Sequence, residues 1–259
     1  MKDYSELTAV RRRERILQLL QEKEEVSVKV LSKEFGVSEM TVRRDLHQLE
    51  AQGLAVVHYG GARLCNYRPM FQDFSNRQEK LYKNKLSIAR SAAAKIERHD
   101  TVFLDASTTV LLMLRFLPDC RLTVITNSLP VVEQLYRNTN VCLHIAPGCY
   151  QPQYGGPLDY STADYVGRFH YDKAFFGTSA IDAAFGVSAT REMESAVKSR
   201  VYTCADSCYL LTDHTKFGKK NPIKYNDIRD FRCIYTDSEL DVRQQELIAL
   251  HDGRLVICE

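Results

Sequence analysis

The sequence predicts an α/β chain in two parts: a small N-terminal helical module closed by a hairpin, then a larger domain on a mostly parallel sheet. Three observations carry this expectation. Residues 26–63 read as two short helices around a glycine corner, followed by a glycine-rich hairpin. Beyond residue 100, short runs rich in Val, Ile, Leu and Phe alternate with helical stretches, the pattern of strands buried between helices. The length of 259 residues leaves room for a small module and one core domain of roughly 190 residues.

The N-terminal elements follow in order. A supporting helix is expected over Leu7–Lys23, with Val10, Ile16, Leu17 and Leu20 on one face. Its Arg11, Arg12, Arg13 and Arg15 suit either phosphate contacts or a solvated basic face. Ser27 and Ser38 each stand where a hydroxyl can cap the following helix. Between those helices lies the corner Phe35-Gly36-Val37, whose glycine permits a sharp turn. The second helix carries an apolar stripe, Val42, Leu46 and Leu49. Met40, Arg44, His47 and Gln48 fall on the opposite side, flanked by Thr41 and Arg43, with Ser38 at the start. A helix packed on one side and offering Arg, Gln, Thr and His on the other fits the major groove of double-stranded DNA. The run from Val56 to Gly61 has strand-and-turn composition, so His58 and Arg63 belong to a wing laid along the phosphate backbone or minor groove.

A boundary is expected after residue 64, with a linker over 65–75 that contains Pro69. A long helix is then expected from Asn76 to Arg98, joining the module to the first sheet strand. Strands are predicted at 101–105, 122–126, 141–146, 172–178, 208–213, 233–237 and 254–258. In open sheets of this kind, ligands sit at the carboxyl ends of the strands. Polar residues recur there: Asp105 followed by Ser107, Thr108 and Thr109, then Asn127-Ser128, Thr178-Ser179 and His214-Thr215-Lys216. The Asp105–Thr109 segment opens a helix, where amides and hydroxyls suit an anion.

Composition narrows the alternatives. Hydrophobic residues make up 44%, enough for a normal core, and no run of about 18 apolar residues suggests a membrane span. The N-terminus has no signal-peptide core, so a cytoplasmic protein is expected. The eight cysteines are scattered without metal-ligand spacing, so neither a metal site nor a cofactor is expected. Residues 1–64 contain eleven Lys or Arg against ten Asp or Glu, a net charge of only +1. DNA affinity would therefore rest on the placement of cations and on pairing of subunits, and a homo-oligomer is expected.

The run Ser38, Thr41, Val42, Arg43, Arg44, Asp45, Leu46, Leu49, Glu50, Gly53 and Leu54 resembles the winged helix-turn-helix signature of the DeoR family of bacterial sugar-responsive regulators. The wing departs from the pattern, with Val57 at a usually basic position and Tyr59 before the glycines. The resemblance extends through DASTT (105–109), TNS (126–128), DKAFFG (172–177), ESAVK (194–198) and DHTKFG (213–218). It implies a C-terminal α/β domain similar to sugar-phosphate isomerases that binds a phosphorylated sugar effector. By that resemblance Asp105, Ser107, Thr108 and Thr109 form a phosphate and hydroxyl site, with Thr126, Asn127 and Ser128 as a second wall. Lys173, Gly177, Thr178, Glu194, Lys198, Asp213 and Lys216 would surround the rim. The resulting division is 1–64 for DNA, 65–75 as linker and 76–259 for the effector. Two functions compete: a regulator, usually a repressor of a carbohydrate operon, or a sugar-phosphate isomerase carrying a DNA-binding module. The fused module favours the regulator, which is not an enzyme.

Overall fold

Residues 8–23, 25–51, 54–64 and 72–259 are described by the computed structural model, in which the chain forms two units, Met1–Gln72 and Asp73–Glu259. The first contains α1 (Ala9–Lys23), β1 (Glu25–Ser27), α2 (Val28–Phe35), α3 (Glu39–Ala51), β2 (Ala55–His58) and β3 (Gly61–Leu64). α1 buries Ile16, Leu19 and Leu20. Leu17, expected on that face, is only half-buried, because Ile16, Leu19 and Leu20 complete the i, i+3, i+4 set. The side chain of Val10 and the whole of Gly53 lie outside the described residues.

Gly36 adopts φ 65°, and its amide donates to Ser32 O, which ends α2 and turns the chain into α3. Ser38 caps α3 as expected, accepting from the Thr41 amide at 3.2 Å. Ser27 does not cap α2: it is the last residue of β1, extended and paired with Gly61, while Gly60 O takes the Val28 amide. β1 was not foreseen, and it completes an antiparallel sheet of order β1-β3-β2. Gly61 permits this pairing, since a Cβ there would lie 1.9 Å from Val26 O.

In the second unit the expected helix over 76–98 is two helices, α4 (Gln72–Glu79) and α5 (Tyr82–Ala93). The break falls at Leu81, which takes φ 55°, and the last turn ends at Ala94, short of Arg98. α4 thus begins inside the segment expected to be a linker. β4 (Thr101–Leu104), α6 (Thr108–Leu112), β5 (Leu122–Thr126), α7 (Leu129–Leu135) and β6 (Val141–Ile145) follow. A short hairpin, β7 (Tyr150–Gln151) and β8 (Gly156–Pro157), precedes α8 (Tyr160–Val166) and β9 (Tyr171–Gly177). β10 (Ala180–Asp182), β11 (Gly186–Ala189), α9 (Glu192–Tyr202), β12 (Ala205–Leu211) and β13 (Ile223–Asn226) come next. The described chain ends with β14 (Cys233–Asp237), α10 (Val242–Leu250) and β15 (Leu255–Cys258).

All seven expected strands join one parallel sheet of order β15-β14-β12-β9-β4-β5-β6. Alternate residues feed cores on its two faces: Val102, Leu104, Val124 and Phe175 on one, Phe103, Ile125, Ala174 and Phe176 on the other. A second small antiparallel sheet, β10-β11-β13, was not anticipated. From β4 the chain builds outward one way through β5 and β6, and the other way through β9, β12, β14 and β15. The switch point therefore lies between β4 and β9, the position beyond whose carboxyl ends open α/β sheets bind their ligands.

Candidate functional sites

In the first unit, α3 sorts its side chains by face. Val42, Leu46 and Leu49 are buried, whereas Met40 is 74% exposed and Arg44, His47 and Gln48 also lie open. Ser38 is exposed with its hydroxyl 2.9 Å from Thr41 Oγ1, and Thr41 and Arg43 are half-buried on the flanks. Asp45 is the exception on this helix. It is buried and accepts Arg12 Nε at 2.6 Å, with Arg13 at 3.5 Å. Arg12 is therefore a structural cation binding α1 to α3, and Arg15 lies 3.7 Å from Glu22. The Glu50 carboxylate accepts the Val57 amide at 2.9 Å and faces His47 at 3.1 Å, joining α3 to the wing. The Val57 amide, then His47, hold the Glu50 carboxyl below its ordinary range. On the wing, His58 is exposed 3.2 Å from Glu25, and Arg63 is exposed in register with Glu25. Tyr59, absent from the expected contacts, is fully exposed at the hairpin tip. The two-residue turn ahead of Gly61 is the signal that could have found it.

The second site forms at the switch point. Asp105 follows β4, is buried, and its Oδ2 accepts Lys198 Nζ at 2.6 Å and the Gly177 amide at 3.0 Å. Lys198 also donates to Gly177 O at 2.6 Å and lies 3.6 Å from Glu194, one turn earlier on α9. Burial alone would pull the Lys198 ammonium down, but Asp105, Tyr225 and Glu194 outweigh it and raise it above its ordinary value. Gly177 leaves the space this requires, since a Cβ there would meet Ser107 Oγ at 2.1 Å. The sequence thus brings Asp105, Ser107, Gly177, Glu194 and Lys198 together from three separate elements.

The remaining residues divide. Ser107 Oγ accepts the Thr109 and Val110 amides at 3.2 and 3.5 Å, so those two amides are not open to an anion as expected. Thr108 and Thr109 are buried. Thr126 Oγ1 donates to Leu104 O at 2.6 Å and accepts the Ser128 amide at 3.0 Å, tying the end of β5 to β4. Asn127 Oδ1 and Ser128 Oγ are buried without a hydrogen-bond partner among the described residues, each an arrangement that costs about 1–3 kcal/mol unless something polar arrives. Thr178 Oγ1 bonds within its own turn, to Ala180 O at 3.0 Å. Asp213 and Lys216 lie beyond β12, 4.0 Å apart.

Lys173 does not belong to this group. It lies toward the amino end of β9, in register with Val102, with Asp100 at 2.6 Å and Glu97 at 3.2 Å. It lies four positions before Gly177 on β9, and at about 3.3 Å per residue this places it at the opposite edge of the sheet. Burial works against its charge, but the two carboxylates hold the ammonium above its usual value.

Two tyrosines also stand beside the site. Lys198 Nζ stands 5.7 Å from the Tyr225 ring centroid, and burial pushes the Tyr225 phenol up to about 12. Tyr154 crosses from the β7–β8 turn to place its hydroxyl 3.1 Å from Thr190 Oγ1. Its glycine-flanked loop was a visible signal, whereas nothing in sequence marks Tyr225. Among the described residues, His214, Asp237 and Glu239 bring possible metal-ligand atoms within 4.8 Å of one another. His214 Nδ1 already faces Asp237 Oδ1 at 2.7 Å, and Asn84 bridges both carboxylates. No described helix is long and apolar enough to cross a membrane.

Comparison with known proteins identifies the two regions that hold these residues. A family model for the DeoR-like helix-turn-helix domain matches residues 12–68, and one for the DeoR C-terminal sensor domain matches residues 80–238. The chain is 31% identical to the HTH-type transcriptional regulator IolR of Bacillus subtilis, over 83% of this chain and 86% of that protein. It is 28% identical to the glycerol-3-phosphate regulon repressor of Escherichia coli, over 94% and 96% respectively. Among solved structures, ribose 5-phosphate isomerase A from Neisseria gonorrhoeae aligns at TM-score 0.36 and 12% identity, covering 52% of this chain and 53% of that one, too distant to carry an argument. α3 thus lies in the helix-turn-helix domain of a transcriptional regulator, the switch-point site lies in its sensor domain, and the chain belongs to the DeoR family.

Proposed function

We propose that this chain represses a carbohydrate-utilisation operon, and that a phosphorylated sugar or related metabolite sets its grip on double-stranded operator DNA. The effector site is Asp105, Ser107, Thr108, Thr109, Thr126, Asn127, Ser128, Gly177, Thr178, Glu194, Lys198, Asp213 and Lys216. The observation that carries this reading is the charge set around Lys198, two carboxylates and a buried ammonium at the switch point of the sheet. Such a set offers acceptors for sugar hydroxyls and a cation for an anionic group. The names of relatives, among them a glycerol-3-phosphate regulon repressor, agree with it. An isomerase reading is weaker, because the fused helix-turn-helix domain gives a sensor a purpose that it would not give an enzyme. On the DNA side, Ser38, Met40, Thr41, Arg43, Arg44, His47 and Gln48 enter the groove, His58 and Arg63 follow the backbone, and paired half-sites call for a homo-oligomer.

The test is a thermal-shift screen of the purified chain against a panel of sugar phosphates, each hit then assayed for turnover and for its effect on binding to the chain's own promoter DNA. The expected result is a hit that raises Tm, alters DNA affinity and is recovered unchanged. A hit converted to product, or a panel with no effect on DNA binding, would overturn the reading.

A further inference from the structure

Tyr225 lies in the small sheet β10-β11-β13, and the pairing there skips it. Val187 faces Asn226 and the next residue, Ser188, faces Lys224, so Tyr225 is the extra residue of a β-bulge. A bulge turns a side chain out of the alternation that a regular strand imposes. Both neighbours are tied down: Asn226 donates to Asp230 at 3.1 Å, and Lys224 reaches Asp227 at 2.5 Å. The placement of Tyr225 is therefore built into the strand.

The ring is set against the buried charges of α9, with Lys198 Nζ 5.7 Å from its centroid. As a residue Tyr225 is half-buried, but its hydroxyl oxygen is fully buried, so the polar end is the inner end. That oxygen makes no hydrogen bond of good geometry among the described residues. Thr178 stands close enough to temper the phenol, yet its own hydroxyl donates to Ala180 O at 3.0 Å and accepts the Ala180 amide at 3.3 Å. Tyr235 also lacks a partner, but it lies in the apolar core beside Tyr209. Tyr225 differs because Lys198, Glu194 and Asp105 all act on it. A buried hydroxyl left unpaired is destabilising, and one kept beside a charge set points to a ligand.

The same groups define the oxygen it meets. Burial pushes the phenol up to about 12 against the pull of Lys198, so near neutral pH it keeps its proton and can donate. Lys198 has already spent two ammonium hydrogens, on Asp105 and on Gly177 O, each at 2.6 Å. Two carboxylates against one ammonium leave a net negative charge, which disfavours an anionic group beside Tyr225 and favours an uncharged oxygen. We infer that Tyr225 is a specificity-determining contact of the sensor site, its phenol hydrogen-bonding an uncharged oxygen, hydroxyl or carbonyl, in the sugar part of the ligand. This rests on the effector reading above and deepens it: the sugar part, not the phosphate, faces the bulge of β13.

The variant is Tyr225→Phe, which removes one oxygen and keeps the ring. The probes are ribose 5-phosphate, glucose 6-phosphate, fructose 1-phosphate and glycerol 3-phosphate with their singly deoxygenated analogues, titrated by thermal shift against the full chain. Without a probe, the Tm of Tyr225→Phe should equal or exceed that of the unmodified chain, because no native hydrogen bond is lost. A lower Tm would place the hydroxyl among the bonds of the fold and overturn the inference. The probe that binds the unmodified chain best should bind Tyr225→Phe roughly tenfold more weakly, the equivalent of one hydrogen bond. One of its deoxy analogues should bind the unmodified chain at least about tenfold more weakly than the parent, and Tyr225→Phe should hold the two alike. Unchanged binding by Tyr225→Phe, or a loss of equal size for the parent and every analogue, removes Tyr225 as a contact and leaves the effector reading in place. A chain that answers to no probe overturns that reading and this inference with it.

Discussion

The two units use charge in opposite ways. In the N-terminal unit the side chains assigned to DNA stand outward from α3, and the helix is held by a separate buried set, Leu46, Asp45 and Arg12. In the sensor unit the functional groups and the internal ties are the same atoms, since Asp105, Lys198 and Gly177 satisfy one another. A surface that reads a duplex larger than itself is displayed on a rigid support and needs little rearrangement. A pocket built from mutually bonded groups must exchange partners to admit a ligand, and that exchange is how binding can favour one conformation over another. Residue type does not separate these roles. Arg12 is buried against Asp45 whereas Arg44 is exposed, and Lys198 reaches Asp105 from α9 whereas Lys173 lies toward the amino end of β9.

Substitutions that remove one group at a time test this contrast. The largest effect is expected for Asp105→Ala, which strands the Lys198 ammonium in the interior. Loss of about 3–5 kcal/mol in chemical denaturation is expected, together with loss of effector response. A nearly wild-type denaturation midpoint would show that the pair is not the internal tie inferred here. Arg44→Ala should leave stability unchanged and weaken operator binding by about 1–3 kcal/mol, or roughly ten- to hundredfold in Kd by fluorescence anisotropy. Equal operator affinity would remove Arg44 from the contact surface. Lys173→Met should cost about 1–2 kcal/mol through Asp100, discounted because Glu97 is 80% exposed, and effector affinity measured by calorimetry should not move. A weakened effector response would return Lys173 to the pocket. The smallest change is expected for Ser38→Ala, roughly 1 kcal/mol from the lost cap, seen as a lower Tm for the N-terminal unit expressed with its sensor. No shift there would mean that Glu39 and its neighbours hold the start of α3 without the hydroxyl.

Much of the architecture was legible because it follows from periodicity. The seven parallel strands come from unbroken apolar runs, and α3 from apolar positions 42, 46 and 49 beside a serine cap. The polar turns after β4 and β5 were visible as Asp105–Thr109 and Thr126–Ser128. The misses have local causes. A helical pattern cannot show that Leu81 takes a left-handed φ, so α4 and α5 read as one helix. Three- and four-residue strands such as β1, β10, β11 and β13 are too short for alternation to mark. Ser27 has the chemistry of a cap, but its backbone is committed to β1.

The sequence by itself determined which segments are strands and helices, the face α3 buries, and the family of the chain, because these depend on spacing within a few residues. Only the tertiary structure decided which charges are internal. Asp45 closes on Arg12 across 33 positions and Lys198 on Asp105 across 93. Strand order set the switch point between β4 and β9, and the direction of β9 sent Lys173 to one edge of the sheet and Gly177 to the other. Partners so distant in sequence are chosen by packing, and in a low-dielectric interior the partner decides whether a charge holds the fold or stays available to a ligand.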